Sequence, residues 1–202
     1  MLVKICGITK LSEIEDLNAL KPDYIGLVFA ESKRKITKEQ AKELINKLDK
    51  SIKTVGVFRN NTEEEIMDIL TVADIDVIQL HGGETIEFVE SLQNKTKKEI
   101  WKAASIKSKE DMSKALKYPV RTILVDGSDP GSGEIFPWKY LNNIETDKRI
   151  FLAGGINEDN VLEGISTVNP DGIDVSSGVE INDEYGRHKD FDKMKRLIDK
   201  VR

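Results

Sequence analysis

Short apolar runs rich in Val and Ile alternate along this chain with longer segments that mix Lys and Glu with regularly spaced Leu, Ile and Val. The runs predict strands over 2–6, 24–29, 54–58, 77–80, 100–103, 122–125, 150–153 and 172–175. The longer segments predict helices over 11–19, 38–48, 62–71, 84–92, 108–116, 158–164 and 190–201, with a weaker one near 138–141. A continuous apolar run suits a strand buried on both faces, as in a parallel sheet covered by helices. Two helix starts carry their own signals. Thr37 is followed three residues later by Gln40, a capping-box spacing. Thr62 precedes Glu63-Glu64-Glu65, acidic residues placed where the helix dipole favours them.

Strand followed by helix, repeated, means parallel βαβ units with right-handed crossovers. Eight such units fit within 202 residues. A doubly wound sheet of eight strands is one solution. A compact α/β fold closed on itself, a single-domain (β/α)8 TIM barrel spanning residues 1–202, suits the length better. No Pro/Gly/Ser-rich linker divides the chain.

Composition narrows the function. Hydrophobic residues make up 39% and charged residues 33%, which places the chain among globular proteins. The net charge of -5 argues against a nucleic-acid surface, while leaving room for one local pocket that takes an anion. A single cysteine and two histidines exclude a disulfide framework and give no metal motif. No stretch approaches the ~18 apolar residues of a membrane helix, and the first residues do not read as a secretory signal. The expectation is a cytoplasmic protein with no membrane or nucleic-acid partner, monomer or homodimer, acting on a small phosphorylated molecule.

In such a barrel, polar residues at the C-terminal ends of strands share one mouth. The seventh strand ends in Ala153-Gly154-Gly155-Ile156-Asn157 and the eighth in Asp174-Val175-Ser176-Ser177-Gly178. Paired glycines let backbone N–H groups approach an anion, and Ser-Ser-Gly adds hydroxyls and opens a short helix. A Gly-Gly alone is an ordinary turn. Two such loops on consecutive last strands predict a phosphate site made of Gly154, Gly155, Ser176, Ser177 and Gly178. Cys6 closes the first strand and Asp126 follows the sixth, so they flank those loops from either side. A lone cysteine is often just a small buried hydrophobe, and a carboxylate after a strand is often a cap. At the rim of the mouth they also form a sensible acid–base pair. Arg34 is either a solvated loop charge or a fork for a substrate carboxylate. Gln79 and His81 end the fourth strand, where His81 either hydrogen-bonds a substrate or caps a helix, and the loop 127–133 is glycine-rich enough to act as a lid.

Several of these motifs resemble one family. Lys4-Ile5-Cys6-Gly7-Ile8-Thr9, Gly26-Leu27-Val28-Phe29 with Ser32-Lys33-Arg34, Val55-Gly56-Val57-Phe58, Gln79-Leu80-His81-Gly82, Leu152-Ala153-Gly154-Gly155-Ile156 and Gly172-Ile173-Asp174-Val175-Ser176-Ser177-Gly178-Val179-Glu180 are similar, in order and over nearly the whole chain, to phosphoribosylanthranilate isomerase, the tryptophan-pathway barrel. The resemblance implies an Amadori rearrangement of N-(5-phosphoribosyl)anthranilate without metal or cofactor. It implies Cys6 as general base and Asp126 as general acid. It places Arg34 at the anthranilate carboxylate, Gln79, His81 and Asp174 among the substrate contacts, and the two glycine loops at the phosphate. One departure is Phe136-Pro137-Trp138, where the family commonly has Phe-Asp-Trp. Free aspartate titrates at about 3.9 and free cysteine at about 8.5, the wrong order for these roles at neutral pH. The site is therefore expected to raise Asp126 and lower Cys6. Rival readings are an indole-glycerol-phosphate synthase, a ribulose-phosphate epimerase, or an inactive barrel that binds a phosphometabolite. The first would be expected to carry Lys and Glu on its strand ends, the second histidine ligands, and the third needs neither Cys6 nor Asp126.

Overall fold

Eight strands form in chain order: β1 (Leu2–Cys6), β2 (Tyr24–Val28), β3 (Lys53–Phe58), β4 (Val77–Leu80), β5 (Glu99–Ser105), β6 (Thr122–Asp126), β7 (Arg149–Leu152) and β8 (Gly172–Val175). Each pairs in parallel with the next, and β8 returns to β1 with Lys4 opposite Asp174, which closes the barrel. The computed structural model describes residues 1–127, 138–141, 145–184 and 186–202. The expected lid, 127–133, and Pro137 lie outside the described residues apart from Gly127.

Helices α1 (Leu11–Leu20), α2 (Lys38–Lys47), α3 (Glu63–Val72), α4 (Ile86–Lys95), α5 (Lys109–Ala115), α6 (Val161–Val168) and α7 (Phe191–Val201) surround the strands. Thr37 and Thr62 close the reciprocal capping boxes that their spacing suggests. Two helix starts move from their expected places. The start of α4 shifts from 84 because Thr85 takes the cap, accepting from the Phe88 N–H, while Glu84 turns inward to Lys102. That of α6 shifts from 158 because Asn157 and Asn160 exchange hydrogen bonds with each other's backbone N–H, turning the chain before the helix begins. Between β6 and β7 the described residues form a single 3-10 turn, Trp138–Leu141, where a weak helix was expected. An antiparallel hairpin, β9 (Glu180–Asp183) and β10 (Gly186–Lys189), follows β8 and was not expected at all. Apart from Ile181 its strand residues are polar or glycine, so there is no apolar alternation for a sequence reading to find.

Because side chains alternate across a strand, every second residue points into the barrel. Tyr24, Val55, Val77, Trp101, Leu124 and Phe151 fill the interior as one buried cluster. The Trp101 ring centroid lies 4.9 Å from that of Tyr24 and 4.7 Å from that of Phe151, so aromatic packing plugs the barrel beneath its mouth. The opposite strand faces, with Ile, Leu and Val, pack on the helices as the larger core. The strands are thus buried on both faces, as their unbroken apolar runs require.

Candidate active site

The same alternation builds the site. Going one step up each strand from the plug, the inward positions are Cys6, Val28, Val57, Gln79, Asp126, Ala153 and Asp174, all of which line one cavity at the mouth. His81 and Ser176, two residues beyond Gln79 and Asp174, continue the same faces into the loops and line it too. Arg34, Gly154, Gly155 and Ser177 complete the expected set around this cavity. Gly178 stands one step back. A Cβ there would come within 2.1 Å of the Ile156 carbonyl, so its missing side chain lets the β8 loop pack on the β7 loop.

Gly154 and Gly155 both take left-handed backbone, φ +79° and +71°, where other L-residues are strained. A side chain at Gly154 would also strike Asp126 Oδ1 at 2.6 Å. The amides of Asn160 and Asn157 hold the Gly155 carbonyl on the α6 side, at 2.9 and 3.3 Å. Ser176 Oγ donates to the Cys6 carbonyl at 3.0 Å, tying the β8 loop to the end of β1. The short helix expected from Ser-Ser-Gly is one 3-10 turn, Ser177–Val179.

Cys6 is half-buried. Gly26 is its register partner on β2, and a Cβ on Gly26 would meet the thiol sulfur at 2.6 Å. Gly26 therefore makes the space in which Sγ sits. Below the thiol, Lys4 is fully buried and donates to Asp174 Oδ1 at 2.8 Å. Burial pushes the Cys6 thiol up, Lys4 opposes this in part, and Asp174 adds to it. The expected lowering of Cys6 is thus overturned: the basic neighbour exists, but desolvation outweighs it. Burial alone would lower Lys4, yet Asp174 and Cys6 together hold it above the ordinary lysine range.

Across the mouth, Asp126 is buried, and its Oδ1 accepts from the N–H of Gly127 at 2.7 Å. The fully buried Gln79 donates from Nε2 to His81 Nδ1 at 3.1 Å. The other ring nitrogen, Nε2, lies 3.3 Å from Asp126 Oδ2 but off the line of a hydrogen bond. His81 therefore does not cap a helix; it stands beside the carboxylate.

Arg34 is already forked. Its Nε and Nη2 donate to Glu180 Oε1 and Oε2 at 2.7 and 2.6 Å. A guanidinium has five N–H donors, so three remain for a ligand. Sequence reasoning missed Lys4, Gly26, Glu180 and Arg59. The signal for Lys4 was there to be read: a lysine in the middle of an apolar strand, two residues before the cysteine. Arg59, exposed at the end of β3, adds a cation to the rim of the cavity and carried no signal beyond its charge.

The family model described as N-(5'phosphoribosyl)anthranilate (PRA) isomerase matches residues 3–200. The N-(5'-phosphoribosyl)anthranilate isomerase of Clostridium beijerinckii is 47% identical, over 99% of this chain and 96% of that one. The crystal structure of the phosphoribosyl anthranilate isomerase from Thermus thermophilus superposes with a TM-score of 0.87 at 33% identity, covering 100% of this chain and 98% of that one. A phosphoribosyl anthranilate isomerase in complex with reduced 1-(o-carboxyphenylamino)-1-deoxyribulose 5-phosphate superposes with a TM-score of 0.82 at 33% identity, covering 98% and 97%.

Proposed function

The chain belongs to the N-(5'-phosphoribosyl)anthranilate isomerase family, and we propose that its barrel mouth performs the rearrangement with Cys6 as general base and Asp126 as general acid. The enzyme is an intramolecular isomerase of tryptophan biosynthesis, and its ligand is a small phosphorylated molecule. The observation that supports these roles is placement. Cys6 on β1 and Asp126 on β6 line one cavity and flank the glycine-shaped loops of β7 and β8.

With the phosphate on the N–H groups around Gly154, Gly155 and Ser177, the sugar lies between the two groups. Asp126 gives a proton to the ring oxygen as the C1–O bond opens, and a protonated Schiff base forms. The Cys6 thiolate then takes the proton from C2, giving an enolamine that becomes the ketone. His81, with Nε2 3.3 Å from Asp126 Oδ2, stands beside the carboxylate that the proton transfer from Asp126 leaves. The free edge of Arg34 meets the anthranilate carboxylate, while Gln79 and Asp174 shape the wall around the sugar.

Two measurements test it. Purified protein should turn over the fluorescent anthranilate adduct and complement a tryptophan auxotroph lacking this step. Near-wild-type turnover by Cys6→Ala would remove the base. For the phosphate end, a sulfate or phosphate ion in crystals should lie against the N–H groups of Gly155 and Ser177; an anion bound elsewhere in the mouth would displace that assignment.

A further inference from the structure

We infer that Glu180 is a positioning residue: it fixes which edge of the Arg34 guanidinium the ligand meets and so sets the preference for a carboxylate on the substrate's aryl end. The inference rests on the proposed role of Arg34. Three loops meet at that one side chain. Arg34 leaves the loop after β2, and its stem crosses the end of β1 over Gly7, where a Cβ would come within 2.3 Å of Arg34 Cδ. Its head reaches the loop after β8, where Glu180 takes the Nε–Nη2 edge with two short, parallel hydrogen bonds. Both side chains are largely withdrawn from solvent, with 15% and 8% exposure. A bidentate carboxylate fixes a planar guanidinium in orientation as well as in place. Only the other edge, Nη1 and the second Nη2 proton, is left for the cavity that Arg34 lines.

Glu180 is itself held. It opens β9, and the hairpin register sets it opposite Lys189. The buried Lys189 ammonium donates to Glu180 Oε1 at 2.7 Å and to the Ser176 carbonyl at 3.1 Å. Arg187 Nε lies 3.8 Å from Oε2. Burial raises the Glu180 carboxyl, but Arg34 and Lys189 outweigh burial and hold it below its ordinary value, so it stays an anion at neutral pH. An unsupported arginine on a loop would sweep many rotamers, and a ligand would have to order it on binding. Here the β9–β10 hairpin does that in advance. This gives the hairpin a task that neither phosphate binding nor proton transfer supplies.

The test compares two ligands on each protein by titration calorimetry: reduced 1-(o-carboxyphenylamino)-1-deoxyribulose 5-phosphate and the same compound without its carboxylate. Wild-type protein should prefer the first. Glu180→Gln puts an amide N–H₂ against a guanidinium donor and should lose about tenfold in affinity for the carboxylated ligand, with the other unchanged. Kinetically, KM should rise while kcat holds within about threefold, the mark of lost binding rather than lost chemistry. Glu180→Asp, one methylene short of the fork, should fall between the two, and takes the place of Glu180→Gln if that variant does not fold. Equal losses on both ligands would mean a merely structural role and overturn the inference. So would undiminished preference in Glu180→Gln. A wild-type protein that binds both ligands equally would instead remove Arg34 from the carboxylate, and Glu180's task with it.

Discussion

The two sides of the mouth are built on different principles. On the side of β8, β1 and β2, Cys6 sits among charges that are themselves paired: Lys4 with Asp174, Arg34 with Glu180, and Glu180 again with Lys189. On the side of β4 and β6, Asp126 has the His81 ring beside it, a buried glutamine behind that and one backbone N–H. Breaking a buried ion pair leaves an uncompensated charge and is costly, so the first side is rigid and each of its members depends on the others. The second side is a short set of polar groups with no ion pair among the contacts described. Cys6 is therefore placed by a charge network and Asp126 by a local hydrogen-bond environment. The network does not lower the thiol below its ordinary range, because burial outweighs Lys4. What it does is hold positions.

The largest effects should come from the two groups themselves. Asp126→Asn and Cys6→Ala should each lose roughly 10²–10⁴-fold in rate, the usual share of one positioned acid or base. The comparison sharpens with a pre-opened substrate analogue. Asp126→Asn should still turn that over, and Cys6→Ala should not; equal loss in both would mean the two steps are not separated between the two sides.

Next comes the space around the thiol. Gly26→Ala places a methyl within 2.6 Å of Sγ, so the sulfur must move. A displacement of about an ångström costs on the order of 10²-fold in rate. Affinity for inorganic phosphate should be unchanged, since Gly26 is on β2 and the loops proposed to hold phosphate follow β7 and β8. A variant with wild-type rate would show that the thiol is not held in one place.

Lys4→Met should act through pH. Lys4 is a group that holds the thiol down, so its removal should raise the Cys6 titration further. Alkylation by iodoacetamide, which needs the thiolate, should then move to higher pH. The rate at neutral pH should fall about tenfold for every pH unit by which the thiol titrates later. The sign is definite: alkylation moving to lower pH would mean that the cation does not act on the thiol. Asp174 is left buried without its cation, so Tm should also fall. His81→Ala offers the contrast, because no charge is stranded and Tm should change less.

The smallest effect belongs to Arg59. It is exposed, so Arg59→Ala should raise KM only a few-fold at low salt, and the difference should fade as salt screens it. A salt-independent loss would place Arg59 in direct contact with the ligand.

Much of this was legible along the chain. The eight apolar runs pointed to the barrel because a strand buried on both faces has no polar positions to alternate with, and the Thr37 and Thr62 caps are local chemistry. Cys6, Asp126, His81 and the two glycine loops stand at strand ends, where sequence position alone brings them to the mouth. Glu180 sat inside a recognised motif with no role attached, because its partner Arg34 is 146 residues away in sequence. Gly26 stands inside an apolar run, and its task follows only from the pairing of β2 with β1, which sets it beside Cys6. The lowering of Cys6 was expected from a basic neighbour that does exist, but the burial that overrules it comes from the whole enclosure of the mouth.

What the sequence determined, then, was the period: which residues alternate, where strands end, and which reactive groups stand at those ends. Periodicity and capping are short-range, set by the backbone geometry of a few consecutive residues. What only the tertiary structure decided was which edge of Arg34 is free, what makes room for the thiol, and whether cation or desolvation prevails at Cys6. Each depends on the closure of β8 onto β1, which brings Lys4 to Asp174 and Arg34 to Glu180 across most of the chain's length. Electrostatics and packing act through space, and that closure is what makes those residues neighbours.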